Sequence, residues 1–146
     1  MSRFFQALLT RPNTPSTRLS RYTEHCGYGY VLLGLLLFFA PGAQVAVGLL
    51  PPFSGQEEGM YRLIGMSLAF VGYFYVFGGR GQSQVFGLAT VLDRLVVPLF
   101  GLYVLQVSTI APMVVLPMCV LDPILAMGGY WMWRKDLAES GSIEPS

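Results

Sequence analysis

The chain of 146 residues is 53% hydrophobic and 12% charged, with a formal net charge of +1. Soluble domains carry about 25% charged residues, so this composition excludes a water-facing globular surface. The near-neutral net charge provides no electrostatic field that would attract nucleic acid. Four membrane spans of about 20 residues each would use most of the length. The composition therefore predicts a single-domain, multi-pass protein that has membrane lipids as its surroundings and no nucleic-acid partner.

Residues 1–25 form a basic segment with four arginines and one acidic residue, Glu24. Apolar side chains near its start share one helical face before Pro12 ends the pattern. They are Phe4, Phe5, Leu8 and Leu9. The pattern predicts a short interfacial helix on the cytoplasmic lipid surface. An organelle transit peptide, which is also rich in arginine and poor in acids, is the alternative.

Four segments downstream are apolar and long enough to cross a bilayer. They comprise residues 27–50, 61–77, 84–107 and 113–133. The connections are short and rich in turn-forming residues. We therefore predict an all-α membrane protein with a four-transmembrane-helix bundle over residues 26–136, followed by a polar tail at 137–146.

The first span has two unusual features. Pro41 and Gly42 interrupt its apolar run and predict a kink. A basic start followed by an apolar run is also typical of a signal peptide, but this run exceeds the usual core of about 7 to 15 residues. We therefore expect the segment to remain as a span.

A rival arrangement has three spans. Leu95 to Leu121 carries no charge and could form one long helix, with Asp93 and Arg94 at an interface. That arrangement would leave the apolar stretch 123–133 without a membrane, and it would place Arg134 on the outer side. We therefore favour four spans.

Basic residues near the span ends predict the orientation, because they favour the cytoplasmic side. With four spans, Arg80 and Arg134 lie on the same side as the basic N-terminal segment, whereas Glu57, Glu58 and a lone Arg62 lie opposite. Both termini are thus predicted to be cytoplasmic. Amphipathic side chains then anchor the inner interface. They are Tyr28, Tyr30, Trp131, Trp133, Arg134 and Lys135.

Asp93, Arg94 and Asp122 lie well inside the predicted spans. A charge near the bilayer centre costs about 3 kcal/mol, so these side chains should face protein. Arg94 lies 14 residues before Ser108 in the turn, and Asp122 lies 14 residues after it. Equal separations along two antiparallel helices give equal depths, so we predict that Arg94 meets Asp122.

Two prolines add to this prediction. Pro98 leaves the carbonyl of Arg94 without its helical donor, and Pro123 does the same to the carbonyl of Cys119. Carbonyls freed in lipid must find other donors, and a guanidinium has five N–H groups. We therefore expect Arg94, Asp122 and the Cys119 carbonyl to form a polar cluster.

Asp93 lies about 100° around the helix from Arg94 and should face another helix, where Tyr73 or Tyr75 would act as the donor. The resulting intramembrane cluster of Asp93, Arg94, Asp122, Tyr73 and Tyr75 fits two roles. A buried ion pair would fix the helix register as a structural clamp. Intramembrane ionisable groups also form ligand sites and proton relays.

Small residues follow one face of the second span, at Gly65, Ala69 and Gly72, and Gly128 and Gly129 lie in the inner half of the fourth. Such residues allow helices to approach closely. Packing within the bundle is the favoured interpretation, and dimerisation or docking to a partner is the alternative.

The sequence lacks the patterns of common catalytic and metal sites. His25 is the sole histidine, and Cys26 and Cys119 lie on different spans, so neither a disulfide nor a metal site is predicted. The glycine-rich stretch 78–81 lacks the strand and lysine of a phosphate-binding loop. We predict a flexible turn there.

Several short features together resemble the small four-helix bacterial membrane proteins of the BphX-like and DoxX-like type. They are Gly65 and Tyr73, Gly79-Arg80, Asp93-Arg94, Asp122, and Trp131 to Arg134. The resemblance covers roughly residues 20 to 136. It implies a four-helix membrane bundle in families whose roles are mostly undefined.

The function predicted from the sequence is that of a non-enzymatic integral membrane protein. It would be an accessory or structural subunit of a larger membrane assembly, or a bundle that associates with itself. The alternative is a bundle that binds or transports a hydrophobic or protonatable ligand, with a bound lipid, quinone or pigment, and a membrane-embedded enzyme ranks third. The bacterial inner membrane is the favoured location, ahead of an organelle membrane.

Overall fold

The computed structural model describes residues 10, 13 and 15–141, and within them all regular secondary structure is helical. The helices are α1 (Arg18–Phe39), α2 (Ala43–Ala46), α3 (Glu57–Arg80), α4 (Gln84–Val107) and α5 (Pro112–Gly141). By length and composition, α3, α4 and α5 are able to cross a membrane. The chain is therefore an all-helical protein with three membrane-length apolar helices in its described part. The predicted interfacial helix around Phe4 to Leu9 lies outside the described residues.

The start of α1 corrects the predicted extent of the N-terminal tail. The Thr17 side chain accepts a hydrogen bond from the Ser20 N–H and caps the helix, which begins at Arg18 instead of residue 27. Leu19 and Thr23 are then almost completely buried, at 1% and 0% exposure. Residues 18–25 therefore belong to the helical body. Their charges also make α1 less apolar than the three membrane-length helices.

The end of α1 corrects the first predicted span. A proline disfavours helical backbone at the preceding residue, and Ala40, just before Pro41, has φ −130° and ψ 55°. The helix therefore ends at Phe39, and the short helix α2 and a loop follow. The predicted kink is a complete break, and the segment 27–50 is not one continuous helix.

Helix α3 is longer than its predicted span at both ends. Glu57 and Glu58 occupy its first turn, where negative charge stabilises the helix N-terminus. The Glu57 carboxylate also accepts a 2.6 Å hydrogen bond from the Ser54 N–H. At the other end, α3 continues through Gly78 and Gly79 to Arg80, so the predicted flexible turn starts only after Arg80.

The last two helices form a hairpin. Helix α4 occupies the residues of the third predicted span, and residues 108–111 separate it from α5. This separation excludes the rival single helix from Leu95 to Leu121. Helix α5 continues to Gly141, so the tail predicted from residue 137 is helical up to that point, and residues 142–146 lie outside the described part.

Helices α1 and α3 form the other hairpin, which is the closest helix pair. A Cβ atom added to Gly27 would lie 2.8 Å from the Gly72 carbonyl oxygen, and one added to Gly72 would lie 2.7 Å from the Gly27 carbonyl oxygen. Gly65 and Gly79 make similar backbone contacts with α1, at intervals of seven residues from Gly72. Intervals of seven keep small residues on one side of a helix in a left-handed pair. The predicted stripe on α3 thus packs inside the bundle.

The two hairpins join at the end where the chain enters α1 and leaves α5. The Asp136 carboxylate accepts hydrogen bonds from the backbone N–H groups of Arg18 (2.9 Å) and Leu19 (3.0 Å). Arg18 also pairs with Glu139. The α5 side chains therefore satisfy the N-terminus of α1, which explains why α5 stays helical beyond residue 133.

Candidate functional site

Arg94 is the most deeply buried charged side chain among the described residues, with 1% exposure. Its guanidinium carbon lies 5.0 Å from the ring centre of Tyr75, 5.7 Å from that of Tyr30 and 6.0 Å from that of Tyr22. We call Tyr22, Tyr30 and Tyr75 the tyrosine box. Helix α1 provides two of its rings and α3 provides one, so the box closes over α4 from the other hairpin. The ring faces stabilise a cation.

The guanidinium makes no hydrogen bond of good geometry with the described residues, although the Tyr30 hydroxyl lies within interaction range of it. The lack of a well-placed partner applies to Nε and to both terminal nitrogens of Arg94. A neutral donor that is buried without a partner costs about 1 to 3 kcal/mol of stability. A charged donor in the same situation costs more. Native structures rarely tolerate such groups without an ordered water, ion or ligand. An acceptor from outside the protein would therefore satisfy donors that the described residues leave without good partners.

Two carboxylates lie beside the tyrosine box, each bound by one of its hydroxyls. Tyr75 donates to Asp93 at 2.7 Å, and Tyr30 donates to Asp122. The rings of Tyr30 and Tyr75 meet edge to face, with their centres 5.5 Å apart. Because both hydroxyl protons are used, the box has no free hydroxyl donor at Tyr30 or Tyr75. The guanidinium is the available donor of the site.

The predicted ion pair between Arg94 and Asp122 is wrong. Asp122 is buried at 6% exposure, but the Tyr30 hydroxyl donates to it, and the Arg94 nitrogens make no hydrogen bond with it. Equal depth along two helices does not fix which way each side chain points, and here Tyr30 of α1 binds the carboxylate. The Cys119 carbonyl does not accept from Arg94 either. The Cys119 thiol instead approaches the Pro98 carbonyl at 3.9 Å.

The two candidate donors to Asp93 have different positions. Tyr75 is buried and makes the predicted hydrogen bond. Tyr73 is 42% exposed and packs on Phe77, with ring centres 4.6 Å apart, so it lies outside the cluster. Adjacent helix positions differ by about 100°, which also explains why Asp93 is exposed although Arg94 is buried.

Tyr22 and Tyr30 are the site residues that the sequence analysis missed. Tyr30 was predicted to be an interface anchor, and Tyr22 was not assigned to the site. Tyr22, Cys26 and Tyr30 follow one another at intervals of four residues, which places them on one face of α1. That spacing was the available signal. The Tyr22 hydroxyl also donates to the Leu125 carbonyl at 2.9 Å, which joins α1 to α5.

Glycines on α5 make room for the box. A Cβ on Gly128 would collide with the Tyr22 ring, and one on Gly129 would lie 2.8 Å from a Val91 methyl group. Gly128 and Gly129 thus allow Tyr22 to lie between α1 and α5 with its ring over Arg94.

The other predicted anchors lie at the end of the bundle where α1 begins. Tyr28 is 45% exposed and shares Glu24 with Arg80, whose Nε is 3.0 Å from that carboxylate. The Lys135 ammonium lies 3.9 Å from the Trp131 ring centre. Further contacts there are Arg134 with the Tyr130 hydroxyl at 3.4 Å and Trp133 with the Tyr130 ring. Tyr30 lies six residues deeper than Glu24, about 9 Å at the usual helical rise.

In the part of the chain that the structure describes, no group of three or more His, Cys, Asp and Glu residues is placed to hold a metal ion. No family model, curated protein or solved structure matches the chain. The resemblance to BphX-like and DoxX-like proteins therefore stays a prediction.

Proposed function

We propose that this protein is a non-enzymatic integral membrane protein that binds a hydrophobic ligand through hydrogen-bond acceptors placed against Arg94. The observation that carries the proposal is the guanidinium with 1% exposure whose three nitrogens make no hydrogen bond of good geometry with the described residues. In a four-span arrangement with cytoplasmic termini, α1 is the additional span and Arg94 lies within the bilayer. Bulk water would then be too far away to solvate it.

The charges around the site favour a neutral ligand. Asp93 and Asp122 each accept a hydrogen bond from a hydroxyl of the tyrosine box, so an additional anion at this site would meet two like charges. A carbonyl oxygen accepts guanidinium N–H bonds without adding charge. The three ring faces of the tyrosine box would pack on the apolar body of such a ligand. A quinone, or a lipid ester carbonyl, has this chemistry.

Access to Arg94 is easiest between the two hairpins. Helices α3 and α4 make few contacts beyond their short connection, compared with the α1–α3 and α4–α5 pairs. The Tyr75–Asp93 hydrogen bond joins α3 to α4 at this interface. A ligand that entered from the lipid would separate the hairpins there, without disturbing the glycine contacts between α1 and α3.

The test is mass spectrometry of the protein extracted gently from its native membrane, with denaturation to release small molecules. We expect the wild type to release one apolar carbonyl compound in stoichiometric amount, and Arg94→Gln to lose it. Arg62→Gln is the matched control, because Arg62 pairs with Glu58 at 2.7 Å at the other end of α3. Arg94→Lys keeps the charge but not the planar fork, and should retain only part of the ligand. A wild type that is extracted empty would contradict the proposal.

A second function, as a subunit of a larger assembly, is favoured by Asp93. Its carboxylate is exposed on α4 and has one hydrogen bond, from Tyr75. A carboxylate that faces lipid at this depth is costly, and a partner helix with a donor would relieve the cost. The mass of the particle by light scattering should then fall for Asp93→Asn. It should not change for Ser67→Ala, whose exposed hydroxyl bonds within its own helix at 2.9 Å.

A further inference from the structure

A cavity lies at the opposite end of the bundle from the start of α1, between the start of α3 and the turn that joins α4 to α5. It has a volume of about 310 Å³. Small-molecule sites usually measure about 300 to 1,000 Å³, so this cleft could hold a small ligand. We call it the turn-end cleft. Its wall is mostly apolar, with Leu50, Ile64 and Val114 among the residues that line it.

One acidic group lies in the wall of the turn-end cleft. Among the residues that the structure describes, Glu57 is the only charged one that lines it. The Ser54 N–H donates a hydrogen bond to one oxygen of this carboxylate at 2.6 Å, which restrains the group. The nearby Arg62 does not line the cleft, because Glu58 at 2.7 Å and the Phe38 carbonyl at 2.5 Å hold its guanidinium. The cleft therefore has one negative group, the neutral polar side chains of Gln56 and Thr109, and an otherwise mostly apolar wall.

Two aromatic rings line the same cleft. Phe53 and Tyr61 have ring centres 5.4 Å apart and planes inclined at 43°. The Tyr61 hydroxyl donates to Gln44, which holds the ring in place. Inclined aromatic rings next to a carboxylate are suited to a quaternary ammonium, since ring faces attract a cation that has no N–H to donate.

We propose that the turn-end cleft binds a hydrophobic quaternary ammonium, with the cation between Glu57 and the rings of Phe53 and Tyr61 and the apolar part against Leu50, Ile64 and Val114. This site is separate from Arg94 and does not depend on the function proposed above. The chemistry is shared by the choline headgroup of a lipid and by a free lipophilic ammonium compound.

Phenyltrimethylammonium is a suitable probe, because tert-butylbenzene is its neutral isostere. Saturation-transfer NMR on the full chain in phosphatidylglycerol nanodiscs would measure binding of each compound. We expect saturable binding of the cation, with affinity about fivefold lower in Glu57→Gln, the factor expected for loss of a partly screened ion contact. Glu58→Gln, which removes the same charge one residue away, should leave the affinity unchanged. Val114→Trp should abolish binding by filling the cleft.

Three results would overturn the proposal. They are the absence of saturable binding of the cation to the wild type, equal effects of Glu57→Gln and Glu58→Gln, and binding of tert-butylbenzene as tight as that of the cation. Folding of each variant is checked by its melting temperature. Phosphatidylcholine nanodiscs separate the two ligand sources. Weaker binding of the probe there supports occupation by the lipid headgroup, whereas unchanged binding supports a free ammonium ligand.

Discussion

The Tyr30 hydroxyl donates a hydrogen bond to the Asp122 carboxylate, which joins helices α1 and α5 across 92 residues of sequence. The same Tyr30 ring lies 5.7 Å from the Arg94 guanidinium carbon. One side chain therefore satisfies the buried acid and faces the buried base, and the two do not pair directly. This arrangement leaves the donors of Arg94 available for a ligand.

Replacement of Tyr30 by Phe removes the hydroxyl but keeps the ring over Arg94. We expect the free energy of unfolding in mild detergent to fall by about 1 kcal/mol, which is typical of a hydrogen bond within a membrane protein. Tyr28→Phe is the control, because that hydroxyl contacts Glu24 and Arg80 at an exposed position. An equal or larger loss in Tyr28→Phe would contradict a structural role for the Tyr30–Asp122 bond.

The contact between α1 and α3 predicts a sharp difference between two glycines on the same helix. Gly27→Ala places a methyl group 2.6 Å from the Val76 backbone nitrogen, whereas Gly29→Ala meets nothing within 4 Å. Overpacking of this kind costs about 1 to 3 kcal/mol. The melting temperature in detergent should fall for Gly27→Ala and stay equal or rise for Gly29→Ala. Equal melting temperatures would show that the helices are not in backbone contact there.

The link between Asp136 and the start of α1 predicts a local effect on hydrogen exchange. Asp136→Ala leaves the N–H groups of Arg18 and Leu19 without their acceptor, at a cost near that of a lost helix cap, about 1 kcal/mol. Amide exchange in the first turn of α1 should then accelerate about fivefold. Ser140→Ala, whose hydroxyl bonds to the Asp136 carbonyl at 2.9 Å, should leave that exchange unchanged. Protection of α1 that survives Asp136→Ala would refute the link.

The proposed four-span topology predicts which loops are reached from each side of the membrane. In a background without Cys26 and Cys119, an impermeant maleimide added outside intact cells should label Ser54→Cys but not Gly81→Cys. Both positions are exposed loop residues, and disruption of the membrane should expose both equally. Labelling of both positions, or of neither, from outside would contradict four spans, because α3 alone separates them.

The sequence predicts the elements better than their contacts. Hydropathy locates α4 and most of α3 and α5 because lipid imposes length and apolarity on each helix separately. The end of α1 at Phe39 follows from Pro41, whose effect the sequence analysis placed correctly but underestimated. The start of α1 follows in part from the local Thr17 cap and in part from Asp136, which is far away in sequence and whose contact no local pattern reports.

In the candidate site, too, the sequence predicts which residues are buried better than it predicts their partners. The burial of Arg94 and Asp122 agrees with the prediction made from the cost of a charge in lipid. Their partners depend on the rotation of each helix about its axis, which equal depth does not determine. Tyr30 was predicted at the interface because tyrosine favours that layer, but its spacing from Tyr22 turns it towards Arg94.

The central claim is that Arg94 binds a ligand, and the most direct test is to observe which atoms surround its guanidinium. A high-resolution cryo-EM map of the protein extracted from its native membrane, enlarged by a rigid antibody fragment, would show its neighbours. We predict non-protein density within hydrogen-bond distance of the guanidinium nitrogens, about 3 Å, with Tyr30 still bound to Asp122. A guanidinium paired directly with Asp122 and no additional density would contradict the account and show that the cluster is a structural clamp.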